Sequence, residues 1–139
     1  MKYEIINKSL PTFYNSHAKN KIFSVGETYS LASKPITALH YHSLYELGIC
    51  ISGEGETYVE NKLFKFKKGS VQILKPMVAH LSKSTGEENA VWRWIYFDAT
   101  ALFKVLGITN QDYVNVLTSG FFNGVFYEND YPEITNAVR

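Results

Sequence analysis

A single cysteine, Cys50, leaves the chain with no intrachain disulfide. Set in an apolar run, it reads as a small core residue, and its isolation fits a reducing cytoplasm. An excess of either charge is also missing: 14 Lys and Arg face 13 Asp and Glu, for a net charge of +1. That balance excludes a fragment that grips nucleic acid by itself, because phosphate binding needs clustered cations. The one close basic group, KFKKG at 65–69, reads as a solvated turn. No apolar run is long enough to span a membrane, and MKYEIINKSLPTFYN lacks the apolar core of a signal peptide. Several chemistries are absent too. No Gly-rich loop lies between a strand and a helix to cradle phosphate, and no Ser sits with His in a nucleophile setting. Glu54, Glu56, Glu87 and Glu88 read as solvated turn charges and not as paired catalytic carboxylates.

What is present suits a single domain. The 139 residues can bury one core, and 45% hydrophobic against 19% charged residues excludes a disordered chain. Residues 1–20 read as an N-terminal arm of weak local structure. Residues 21–98 carry short strand patterns: KIFSVGETYSL, ITALHYH, YELGICIS, GETYVEN, LFKFKKG, SVQILKP, HLSKS and AVWRWIYF. Gly, Pro, Asn and Ser punctuate them. SGEGE (52–56) and KKGS are turns, and Asn61-Lys62 is a two-residue hairpin loop. Eight such strands predict a mainly β sandwich or barrel, not a parallel sheet. Residues 99–139 change texture. DATALFKVLG predicts a helix capped by Asp98 and stopped at Gly107, with Leu102, Phe103 and Leu106 on its apolar face. NQDYVNVLTSG predicts a second, and NDYPEITNAVR a third that begins at Asp130 as N-cap. That last stripe ends after about two turns, too short to stand alone. The expectation is a front portion of a longer protein.

Two of only four histidines stand in HYHSLYELGICISG, residues 40–53. On a strand His40 and His42 share a face, and Glu46 has the same parity. Further on come Gly69, Pro76 and His80. Three imidazoles and a carboxylate form a transition-metal set with room for water. The other reading is that the four side chains hydrogen-bond an organic ligand or one another, since buried polar groups need partners. Trp92, Trp94 and Tyr96 share one face of their strand, and core packing is expected for at least two of them.

These residues carry a resemblance. His40, His42, Glu46 and Gly53 resemble the first motif of the cupin superfamily, and Gly69, Pro76 and His80 its second. The second departs from the pattern: PMVAH is one residue short, with Val78 for the usual glycine, and Ser84 stands where asparagine is expected. The shorter form resembles the N-terminal sensor domain of AraC-type transcription regulators, through GSVQILKPMVAH (69–80) and WIYF (94–97). The resemblance implies a cupin-like double-stranded β-helix, or jelly-roll, barrel over 21–98 and a helical dimerisation segment over 99–139. It further implies a small-molecule effector, such as a carbohydrate, held by His40, His42, Glu46, His80 and Trp94, with the Trp94 ring against a flat apolar face. The implied assembly is a cytoplasmic homodimer that meets DNA only through C-terminal helix-turn-helix units, which this chain lacks, and no membrane. This reading needs no cofactor. The alternative within the superfamily is a stand-alone metal-dependent enzyme, a dioxygenase or sugar isomerase. It would use His40, His42, Glu46 and His80 to hold a divalent Zn, Ni, Fe or Mn ion.

Overall fold

The computed structural model describes residues 11–13, 23–25, 29–30, 39–112, 115 and 123–139. In chain order the strands are β1 (Thr12–Phe13), β2 (Phe23–Val25), β3 (Tyr29–Ser30), β4 (His40–Tyr41), β5 (Tyr45–Ser52), β6 (Glu54–Val59), β7 (Lys62–Lys67), β8 (Val71–Leu74), β9 (His80–Ser84) and β10 (Val91–Phe97). Helix α1 (Ala99–Val105), strand β11 (Gly124–Phe126) and helix α2 (Pro132–Val138) follow. The strands form two sheets. One runs β1-β4-β9-β6-β7; the other runs β11-β8-β5-β10-β2, with β3 beside the first part of β10. Pairing is antiparallel except for β1 against β4.

The chain changes sheets at two corners, and these decide where the polar residues meet. After His42, Ser43 and Leu44 carry it from β4 in the first sheet to β5 in the second. SGEGE carries it back, so this turn is a corner between sheets and not a hairpin. Its pivot Gly53 has φ +78°, and a Cβ there would lie 2.7 Å from Ala90 Cα. Only glycine suits both demands. The β6–β7 connection is a true two-residue hairpin, one step earlier than the sequence suggested. Val59 pairs with Lys62, and Glu60, at φ +53°, opens the loop. The inward alternation of Thr57 and Val59 sets that register.

Alternation also builds the core. Along β10, Trp92 and Trp94 are buried and Arg93 is exposed. The two indoles stack at 4.6 Å and 5°, and Phe66 from the first sheet meets Trp92 edge-on at 4.9 Å. Cys50, Ala90 and Val125 complete this cluster, and Val59, Leu74 and Val78 form a second.

The arm and the C-terminal part depart from the reading above in detail. Most of residues 1–20 lie outside the described residues, but Thr12–Phe13 forms β1 against β4, with Phe13 edge-on to Tyr41 at 5.3 Å. Asp98 caps α1 through Oδ1, which accepts from the Ala101 N–H at 3.0 Å. The predicted second helix lies largely outside the described residues. The segment after it is not all helix: β11 extends the second sheet beside β8, because Val125 fills a core position. Tyr131, not Asp130, is the N-cap of α2, since Pro132 already sits at the first helical position. α2 packs against β5 and β8. Among the described residues no helix is long and apolar enough to cross a membrane.

Candidate functional site

The interior face of the second sheet is graded along its length. Cross-strand partners Trp92 and Cys50 occupy one end, Trp94 and Gly48 the middle, and Tyr96 and Glu46 the other end. Glu46 therefore projects between the sheets where the apolar core stops. His40 and His80 face it from the first sheet, directly opposite each other on β4 and β9. Their ring centroids are 4.3 Å apart. His42 sits at the corner leading to β5, its ring 5.0 Å from His80 and 5.4 Å from Tyr96. The corner at Ser43-Leu44 puts Glu46 on the opposite wall from His40 and keeps both turned inward. Parity within one strand would have placed them side by side.

The structure thus brings the four polar candidates together. His42, Glu46 and His80 are buried, and His40 is half-buried. One ligand atom from each falls within 4.8 Å of the others. The imidazoles are oriented by their own backbone. His42 Nδ1 donates to the Leu44 carbonyl at 2.9 Å, and His80 Nδ1 to the Val78 carbonyl at 2.8 Å. A carbonyl can only accept, so Nδ1 carries a proton in both rings and each Nε2 is turned to the centre. His42 Nε2 lies 2.9 Å from Glu46 Oε2. His80 Nε2 lies 3.4 Å from the same oxygen and has no aligned hydrogen-bond partner among the described residues. Burial alone would raise the Glu46 carboxyl. Its contacts with His42 and His80 outweigh that and hold it down at about 2. Burial, then the neighbouring His80, pulls His40 down to about 4. Burial also works against the charged form of His80, but the Glu46 carboxylate prevails and raises it.

A divalent ion suits this donor set: two Nε2 atoms anchored from behind by carbonyls, a third imidazole, a carboxylate, and one buried nitrogen with no aligned hydrogen bond among the described residues. These residues could hold such an ion.

Trp94 lies elsewhere. It is buried in the aromatic cluster, stacked on Trp92 and laid over Gly48, where a Cβ would come within 2.1 Å of the ring. It stands two residues from Tyr96, the aromatic residue that touches the quartet. Sequence reasoning passed over three further polar residues here. Gln72, wholly buried, donates from Nε2 to Glu46 Oε1 at 3.2 Å, and Thr57 and Ser82 stand behind it. The available signal was a glutamine inside the apolar run VQIL.

The model of the AraC-like ligand binding domain matches residues 27–139. No curated protein sequence matches the chain. Among solved structures the chain is similar to a Cupin 2 conserved barrel domain protein from Salinispora arenicola, at 22% identity and a TM-score of 0.51, over 63% of this chain and 73% of that one. It is also similar to ToxT from Vibrio cholerae, at 16% identity and a TM-score of 0.50, over 86% of this chain and 48% of that one. Oxalate decarboxylase from Bacillus subtilis aligns at 16% identity and a TM-score of 0.44, over 72% of this chain and 32% of that one. At these identities the likeness to the first two shows a fold, the cupin-like barrel. The family model spans most of the chain, and on that match the chain belongs to the family of AraC-like ligand binding domains.

Proposed function

We propose that this chain is the effector-sensing and dimerising part of a cytoplasmic AraC-type transcription regulator. A small molecule, with carbohydrates as the first class to test, binds at the polar end of the barrel. His40, His42, Glu46 and His80 anchor it, and Trp94 contributes through the core cluster against which Tyr96 packs. The observation that carries this reading is the buried convergence of that quartet within the span matched by the ligand-binding family. Coupling to the rest of a regulator follows from where the quartet sits. His40 lies on β4, whose other neighbour is β1 of the arm. A ligand that prefers one placement of this strand shifts the population of arm and helix arrangements, and with it the presentation of DNA-binding units attached beyond this chain. A thermal-shift screen of monosaccharides, followed by calorimetry of each hit, tests the reading. His42→Ala should fold and bind the hit roughly ten- to a hundredfold more weakly, the loss of one hydrogen bond of about 1–3 kcal/mol. Unchanged affinity in that variant would place the ligand away from the quartet.

A second reading is favoured by the inward Nε2 atoms and by the His80 nitrogen, which has no aligned hydrogen bond among the described residues. In it the quartet holds a divalent Zn, Ni, Fe or Mn ion, which when bound supplies a Lewis acid. Elemental analysis of the purified chain decides occupancy. Stoichiometric metal with turnover of an organic substrate would make the protein a metal-dependent cupin enzyme, a dioxygenase or sugar isomerase. Metal without turnover would make the ion part of the sensor.

A further inference from the structure

We propose that Gln72 is a positioning residue for the quartet, an amide bracket that fixes the Glu46 carboxylate so that Oε2 faces the imidazoles. The inference rests on reading the quartet as the binding site. Gln72 sits on the interior face of β8, fully buried. Its Nε2 donates to Glu46 Oε1 at 3.2 Å, and its Oε1 accepts from the Thr57 hydroxyl at 2.8 Å. Thr57 belongs to the opposite sheet, so the bracket spans the interior. The single Thr57 proton is committed to Gln72. Ser82 Oγ, 2.8 Å from Thr57 Oγ1 and 3.5 Å from Gln72 Oε1, is therefore the next donor. The bonds run toward Glu46: the Thr57 and Ser82 hydroxyls face Gln72 Oε1, at 2.8 Å and 3.5 Å, and Gln72 Nε2 donates to Glu46. Turning the amide over would set its oxygen against Glu46 Oε1, acceptor against acceptor. Glu46 is thus gripped on both oxygens by different walls, Oε1 by Gln72 and Oε2 by His42, and it cannot rotate without breaking a buried bond. Apolar side chains would fill the space of Thr57 and Ser82 at little loss of stability, because a neutral hydrogen bond gains little net. What an apolar filling cannot do is orient the carboxylate.

The test is Zn(II) titrated by calorimetry into the purified chain and into Thr57→Val, Thr57→Ser and Gln72→Leu. Loss of the bracket in Thr57→Val and Gln72→Leu should weaken Zn(II) binding roughly ten- to a hundredfold, the usual effect of removing a partner of a metal ligand. Thr57→Ser, which keeps the hydroxyl, should bind as the wild type does. Thr57→Val is nearly isosteric, so it carries the test if Gln72→Leu fails to fold. Equal affinity in Thr57→Val and wild type would overturn the proposal. So would a loss in Thr57→Ser as large as in Thr57→Val, which would mark Thr57 as packing only. If the wild type takes up no Zn(II), the metal reading fails by itself, and the bracket is then read from the ring nitrogen NMR shifts of His42 and His80. Shifts that move in Thr57→Val and return in Thr57→Ser support it; identical shifts in all three sink it.

Discussion

At the scale of single residues, the quartet makes stability depend on pH in two opposed ways. Glu46 is held near 2, against about 4.3 in an unfolded chain. Its contribution is present above the unfolded value and is lost as pH falls toward 2. His40, lowered to about 4, acts in the same direction. Between about 6.5 and 4 the unfolded chain takes up a proton there that the folded chain refuses, so acid favours unfolding. His80 is raised, so its contribution is full below about 6.5 and is lost as pH rises through its folded value. Urea midpoints measured from pH 8 to 3 should therefore peak near neutrality and fall in two acid steps, the first from His40 and the second from Glu46. His40→Asn should flatten the first step and leave the second. A midpoint that fell only below pH 4.5 in the wild type would contradict the placement of His40.

At the scale of elements, β5 and β10 show how one missing side chain fits one large one. Trp94 lies where the Cβ of residue 48 would be, so Gly48→Ala should push the indole out of its stack. The cost should be at least about 1–3 kcal/mol, read as a lower urea midpoint. Trp94→Ala should cost about 3–5 kcal/mol, as large aromatic truncations in cores do. Gly48→Ala combined with Trp94→Leu should be less damaging than the sum of the two single changes, because the side chains compete for one space. Strand patterns of this kind were legible in the sequence. YELGICIS is β5 residue for residue, and AVWRWIYF contains β10, because alternation and β-branched or aromatic composition act locally. The corners were not legible, since SGEGE reads the same whether its strands pair or part. β11 was missed because three residues carry too little pattern. The quartet was found through its spacing. Its bracket was not, because Gln72, Thr57 and Ser82 are brought together only by the facing of two sheets.

At the scale of the whole molecule, near-neutral charge and exposed apolar helix residues set the expected company. With a net charge of +1 the chain should not retard a DNA duplex in a gel at low salt; sequence-specific retardation would contradict the assignment of DNA contact to other domains. Val105 and Leu106, at the end of α1, are 67% and 60% exposed, which supports pairing through the segment after Asp98. Sedimentation of a regulator containing this domain should show a dimer, and Leu106→Glu should shift it toward monomer. A strict monomer at every concentration would remove dimerisation from the proposal.

The stacked indoles have an optical consequence. The chain contains two tryptophans, and they are Trp92 and Trp94, stacked nearly parallel with ring centroids 4.6 Å apart. All of its indole emission thus arises from one spot in the core that both sheets share. Rings this close couple electronically, so the folded protein should show a paired, oppositely signed band in circular dichroism and dim, self-quenched fluorescence. Loss of β10's regular pleat on unfolding would erase the first and brighten the second. The unlabelled protein carries its own gauge of order in β10, the strand that two residues further on brings Tyr96 against His42.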